Sequence, residues 1–284
     1  MQSPRDATHT LPDERTLSYA EYGDADGKPL FYFHGWPGSR FEGEMLADAA
    51  HKAGSRLIAV ERPGYGRSSF QRGRRILDWP RDIASLADAL GIERFAVLGY
   101  SGGGPYAAAC AHELPERLTS ATIVSGVAPR LTAKTPRWRR ALITAMRPLL
   151  PLVRGPLLYM KTTLRLFGHH AVASGRWTWS PPDRRILARR DAQDGYARDM
   201  GEALRPGVGG AAHDFALLAG DWQFALEHIR VPVHLWHGER DWLIRVGRGR
   251  AVAAVIPACD AHFVPGEGHL MIFDHAPEIL RWAR

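Results

Sequence analysis

Val97-Leu98-Gly99-Tyr100-Ser101-Gly102-Gly103-Gly104 is the stretch that decides how this chain is read. A short apolar run, the mark of a buried strand, enters Gly-x-Ser-x-Gly and passes into a helix. Glycine at 99 and 103 permits a strand-to-helix turn so tight that a side chain at either position would strike its neighbours. The turn pushes the Ser101 hydroxyl clear of the backbone, beside the positive end of the following helix. Ser101 is therefore expected to act as a nucleophile. The remainder of the chain then has to supply a base and a carboxylate to activate it.

Apolar runs like Phe95–Leu98, which leads into the serine, recur at Leu30–Phe33, Leu57–Val60, Ala121–Val124, Val233–Trp236 and His262–Val264. Amphipathic stretches such as Leu77–Leu90 lie between them. Strands alternating with helices predict an α/β fold, a parallel sheet with helices on both faces. Thr8–Tyr22 alternates more loosely around Pro12-Asp13 and predicts an antiparallel hairpin on the sheet edge. The pattern stops after Val127. From 129 to 221 no clean strand is visible, and prolines punctuate short helical pieces. The expected organisation is a core made of 1–128 and 222–284, with 129–221 inserted as a helical cap or lid. Insertions at the C-terminal ends of strands commonly cover a site.

The 284 residues are 45% apolar, enough for one large core, and no apolar run approaches the roughly 18 residues that would span a bilayer. The polar first ten residues lack the apolar stretch of a signal peptide. Two cysteines, Cys110 and Cys259, stand far apart in no ligand-like spacing and are expected to be reduced thiols. A cytoplasmic location is expected. The formal net charge is +7, but 17 Lys and Arg against 8 Asp and Glu fall between Pro129 and Arg230, so the excess sits in the insertion. No nucleic-acid motif accompanies it, and a solvated basic face is expected. A preference for anionic substrates is the weaker alternative.

Thirteen histidines compete for the role of base. His269, in Pro265-Gly266-Glu267-Gly268-His269, follows the last apolar run and precedes a C-terminal helix. It would project over the same sheet edge as Ser101. Asp241 stands just past another strand, in His237-Gly238-Glu239-Arg240-Asp241, and is the expected acid; Glu239 is the alternative. The acid would bind the imidazole nitrogen turned away from the serine, fixing the tautomer and stabilising the imidazolium. Reaction at a carbonyl would also need an oxyanion hole. The backbone N–H of Gly102 is one expected donor. That of Trp36, in His34-Gly35-Trp36-Pro37-Gly38-Ser39 after the third strand, is the other. A cis Trp36–Pro37 bond is expected there.

Taken together, Phe33-His34-Gly35-Trp36-Pro37-Gly38, Glu61-Arg62-Pro63-Gly64-Tyr65-Gly66-Arg67-Ser68, Gly99-Tyr100-Ser101-Gly102-Gly103, Gly238-x-x-Asp241 and Gly268-His269 resemble the α/β-hydrolase superfamily. The Ser-Gly-Gly-Gly-Pro-Tyr form of the turn is similar to that of small bacterial α/β-fold hydrolases. The resemblance implies a mostly parallel eight-stranded sheet, the chain order Ser101, Asp241, His269, and a structural role for the loop Arg62 to Ser68. Glu61 stands where relatives often carry Asp. A substrate is not implied, because the fold hosts many.

The expected activity is cleavage of a carboxylic ester of a small to medium, mostly apolar substrate, through an acyl-enzyme on Ser101. Lactone, thioester, amide or C–C bond hydrolysis by the same triad is the alternative, together with a role as ligand receptor or non-hydrolytic biosynthetic catalyst. Epoxide hydrolase and dehalogenase chemistry is disfavoured, since those relatives use an Asp nucleophile. This chemistry requires no metal and no cofactor. The expected partner is a small-molecule substrate, not nucleic acid or membrane, and the chain is expected to be a monomer or homodimer. Trp36, Tyr100, Trp138, Tyr159, Trp177 and Met271 are the candidate pocket residues.

Overall fold

The apolar runs become the strands of one sheet in a computed structural model, which describes residues 5–129 and 151–283. The strands are β1 (Arg5–Thr10), β2 (Thr16–Gly23), β3 (Lys28–Phe33), β4 (Ser55–Val60), β5 (Phe95–Tyr100), β6 (Leu118–Val124), β7 (Val233–Gly238) and β8 (Cys259–Val264). Their spatial order is β1-β2-β4-β3-β5-β6-β7-β8. The β1–β2 hairpin and its junction with β4 are antiparallel, and every other pairing is parallel.

Side chains alternate along each strand, so the sheet has two apolar faces. Phe31, Phe33 and Val97 point to one face, which is covered by the helices Trp79–Ala89 and Gly104–Glu113. In the first of these helices Ile83, Leu86 and Ala87 recur at helical spacing, and Pro80 occupies the first turn, where its missing N–H costs nothing. Leu30, Tyr32, Leu98 and Tyr100 point to the other face, under the helices Ala47–Lys52 and Ile272–Trp282.

The order reverses at β3. The chain goes from β3 outward to β4 on one side, then returns to β5 on the other. A crevice opens beyond the carboxyl ends of strands at such a switch point. The serine turn follows β5, and the loop carrying Trp36 follows its neighbour β3, where Phe33 is paired with Gly99.

Between β6 and β7 the described residues form the helices Arg154–Phe167, His169–Gly175, Pro181–Ile186, Arg190–Ala203 and Gly209–Ala219, and no strand. Residues 130–150 of the expected insertion, Trp138 among them, lie outside the described residues. Ile186, Leu187 and Tyr196 join the second core face, and Leu218 joins the first. Part of the basic charge of this segment faces acids of the sheet domain: Arg189 meets Asp274 at 2.6 Å, and Arg198 meets Glu44. Cys110 and Cys259 are both free thiols. Among the described residues no helix is long and apolar enough to cross a membrane.

Candidate active site

Ser101 has φ of +50°, a left-handed conformation that side chains other than glycine rarely adopt. Holding it there costs on the order of 1 kcal/mol or more, which the surrounding turn must enforce. The enforcement is visible in the glycines. A Cβ at Gly99 would strike the Gly103 carbonyl, and one at Gly103 would strike the carbonyl of Phe33. Only bare backbone lets β5, the turn and β3 approach this closely. Ser101–Gly103 then form a 3-10 turn that continues into the Gly104–Glu113 helix.

The structure brings Ser101, His269 and Asp241 together. His269 Nε2 lies 2.9 Å from Ser101 Oγ, and His269 Nδ1 lies 2.7 Å from Asp241 Oδ2. A carboxylate can only accept, so Nδ1 carries the ring proton and Nε2 is left as acceptor for the serine hydroxyl. His269 and Asp241 are both buried. Asp241 Oδ1 accepts from the N–H groups of Leu243 and Ile244, each at 2.8 Å. Burial alone would raise this carboxyl. The charge of His269 and the hydrogen bonds from His237, His269 and Ile244 outweigh it and hold Asp241 well below the usual carboxylate range. Glu239, the alternative acid, instead forms a surface ion pair with Arg250 at 2.8 Å.

Trp36 and Gly102 also meet. A Cβ on Gly102 would lie 2.8 Å from Trp36 Cβ and 3.2 Å from Trp36 N. The Gly102 N–H belongs to the first turn of a helix, where N–H groups have no intrahelical acceptor. The Trp36–Pro37 bond is cis, as the sequence reading expects.

Several polar groups of the Trp36 loop are tied down, while the Trp36 N–H itself has no hydrogen-bond partner among the described residues. Gly35 N–H donates to Glu42 Oε2 at 2.7 Å, and Ser39 N–H and Oγ both donate to Asp199 Oδ1 at 2.7 Å. Arg62 donates to the carbonyls of His34 and Gly35 and, through Nε, to Asp214 Oδ2 at 3.0 Å. Asp214 is fully buried and also receives Arg74, Tyr65 and Tyr106. Burial would raise its carboxyl, but the Arg62 and Arg74 charges hold it below the usual range. Burial pushes the Glu42 carboxyl up to about 7, despite its bonds from Gly35 and Tyr32. Burial, with the like charge of the neighbouring Glu42, pushes Asp199 up as well.

The His269 loop is held by a fourth carboxylate. Asp183 Oδ1 accepts from the N–H of Leu270 at 2.8 Å, and Asp183 Oδ2 accepts from Ser180 Oγ at 2.5 Å. Asp183, Asp199 and Asp214 all lie on helices between β6 and β7. None of these three, nor Glu42, stands in a sequence motif that marks it. Their signal, an isolated acid on an otherwise apolar helix face, is visible only when burial is known.

The candidate pocket residues separate. Trp36 is half-buried, packs 5.1 Å from Phe215 and donates its indole N–H to Ala211 O at 2.8 Å. Tyr100 is buried with its ring 5.3 Å from that of His269. Tyr159 is 74% exposed and Trp177 64% exposed, while Met271 has no exposed surface at all. Neither condition is that of a pocket wall. Tyr159 falls on the face of its helix opposite the buried Leu157 and Leu164, and Trp177 lies under the guanidinium groups of Arg176 and Arg184. Met271 is packed into the second core face. Trp179, two residues beyond Trp177, lies beside His269 with ring centroids 6.2 Å apart.

The chain matches the family model of the alpha/beta hydrolase fold over residues 28–276. It is 36% identical over 126 residues to a non-heme chloroperoxidase of Streptomyces lividans, covering 43% of this chain and 45% of that one. It is 30% identical over 128 residues to a bifunctional esterase/perhydrolase of Acinetobacter calcoaceticus, covering 44% of this chain and 46% of that one. The matched region thus spans less than half the length of these curated relatives. Among solved structures, a hydrolase from Pseudomonas aeruginosa PA01 superposes with a TM-score of 0.72 at 21% identity, covering 97% of this chain and 96% of that one. With the family model covering most of its length, the chain belongs to the α/β-hydrolase fold family.

Proposed function

We propose that this protein is a serine hydrolase that cleaves a carboxylic ester of a small to medium, mostly apolar substrate. The observation that carries the reading is the position of His269, 2.9 Å from Ser101 Oγ on one side and 2.7 Å from Asp241 on the other. Ser101 Oγ attacks the ester carbonyl while its proton passes to His269 Nε2. Asp241 stabilises the imidazolium that results. The N–H groups of Trp36 and Gly102 donate to the oxyanion of the tetrahedral intermediate. His269 returns the proton to the leaving alkoxide, an acyl-enzyme remains on Ser101, and water deprotonated by His269 releases the acid.

Trp36, Tyr100, Trp179 and Phe215 give the surroundings an aromatic character that favours apolar acyl or ring groups. The similarity to an esterase/perhydrolase supports a second fate for the acyl-enzyme, attack by hydrogen peroxide in place of water. Serine at 101 disfavours epoxide opening, which needs a carboxylate nucleophile.

The test is labelling with a fluorophosphonate, followed by a panel of p-nitrophenyl esters, lactones and thioesters with and without hydrogen peroxide. Labelling at Ser101 and ester turnover are expected. Ser101→Ala should lower turnover by several orders of magnitude with the fold intact. Retained activity in that variant, or no labelling of the wild type, would overturn the assignment.

A further inference from the structure

At the far edge of the sheet β7 and β8 run parallel, with His234 opposite Asp260 and Trp236 opposite His262. Asp260 and His262 are two residues apart on one strand, so the four side chains share a face. Two imidazole nitrogens approach one carboxylate oxygen: His262 Nε2 is 3.2 Å and His234 Nδ1 is 3.8 Å from Asp260 Oδ2. The three donor atoms lie within 4.8 Å of one another, and among the described residues no other cluster of His, Cys, Asp or Glu converges in this way. His234 Nδ1 is buried without a hydrogen-bond partner, a condition that buried polar atoms ordinarily avoid. Aromatic rings fix the imidazoles. Trp236 stacks on His262 at 4.2 Å, and Trp282 lies 5.2 Å from His234 and 5.9 Å from His262.

We propose that His234 Nδ1, His262 Nε2 and the Asp260 carboxylate hold a divalent transition-metal ion of the zinc, nickel or copper class. Two imidazoles and one carboxylate are a donor set these ions favour over magnesium or calcium. Bonds of about 2.1 Å to a tetrahedral ion set the donors roughly 3.4 Å apart. Closing the site therefore asks the widest pair to approach by up to about 1.4 Å, within reach of side-chain rotation. Asp260 is exposed and leaves the remaining coordination positions to water. Edge strands often carry charge to deter pairing with another sheet. That accounts for Asp260, but not for an orphaned imidazole nitrogen turned towards it. His234 and Asp260 are near the starts of their strands, whereas Asp241 and His269 lie past the ends. The ion would fasten the edge strand to β7, beside the final helix, and take no part in hydrolysis.

Chelator-stripped protein is titrated with zinc chloride by calorimetry and with copper chloride by tryptophan fluorescence. One equivalent of zinc is expected to bind and to raise the melting temperature. Copper quenching is expected to saturate at one equivalent, because Trp236 and Trp282 border the site. His234→Gln, His262→Gln and the exposed Asp260→Asn should each weaken zinc binding more than about tenfold, at least the loss seen on removing groups that merely support a ligand. Trp282→Phe should keep the affinity and lose part of the quenching. Ester hydrolysis should be unchanged in all four variants. The adjacent histidines His169 and His170 are the control. No binding by the wild type, wild-type binding by the His262 and Asp260 variants, or loss on replacing His169 and His170 instead would overturn the proposal.

Discussion

In an Asp241→Asn variant the backbone decides which way the new amide faces. The N–H groups of Leu243 and Ile244 both donate to Oδ1 at 2.8 Å, so the amide oxygen must take that place; an NH2 group there would set donor against donor. The NH2 is left facing His269 Nδ1, where a carboxylate oxygen accepted at 2.7 Å. A ring nitrogen facing a donor has to be bare, so the imidazole proton moves to Nε2. That is the atom 2.9 Å from Ser101 Oγ, and once protonated it cannot receive the serine proton. A wrong tautomer of this kind lowers kcat by roughly four powers of ten, about 5 kcal/mol of transition-state stabilisation. The assay is steady-state hydrolysis of a p-nitrophenyl ester, with circular dichroism to show that the variant is folded. A folded Asp241→Asn enzyme within tenfold of the wild type would refute the reasoning. So would a larger loss in Glu239→Gln, whose carboxylate is occupied by Arg250.

Two further substitutions test the carboxylates around the site. Asp183→Ala leaves the buried N–H of Leu270 without an acceptor, which should cost about 1–3 kcal/mol of stability in urea unfolding. Because Leu270 follows His269, kcat should fall while KM changes little, and an unchanged kcat in a destabilised variant would refute the link. The Glu42 carboxyl is held up to about 7 in the folded chain, above its ordinary 4.5. The folded state therefore binds more protons than the unfolded state between these values, and stability should fall as pH rises from about 4.5 to 7. Glu42→Gln keeps an acceptor for Gly35 and should make this slope, measured as unfolding free energy against pH, shallower; Asp199 and Glu61, also raised by burial, supply the rest. An identical slope in both proteins would refute a contribution from Glu42.

The parts of the site that could be read from the sequence share one property: each is local. Ser101, Asp241 and His269 each follow an apolar run at a glycine-marked turn, and strand parity with chain order then sets them on one edge. The hairpin, the eight strands and the Trp36 loop follow from the same short-range signals. Asp183, Asp199 and Asp214 carry no such signal. Each meets its partner across 87 to 160 residues, and an acid on a helix reads as surface. The pocket aromatics fail for another reason. Trp177 sits in a three-residue 3-10 turn, too short for periodicity to fix its phase. The helix of Tyr159 also exposes Leu158, Leu166 and Phe167, so its apolar residues do not mark one buried face. Trp177 and Trp179, two residues apart, point to solvent and to His269 respectively, and Tyr159 lies two residues from the buried Leu157.

The three aspartates have a consequence for how such an enzyme can diversify. The helices above the sheet supply Asp183 to the His269 loop, Asp199 to the Trp36 loop, and Asp214 to the arginine that braces that loop. Exchanging this segment for one without these carboxylates would remove the acceptors that hold the Trp36 and His269 loops, even with Ser101, His269 and Asp241 untouched. New specificity is therefore most accessible through side chains such as Trp179 and Phe215. A transplanted roof would function only if the three carboxylates travelled with it.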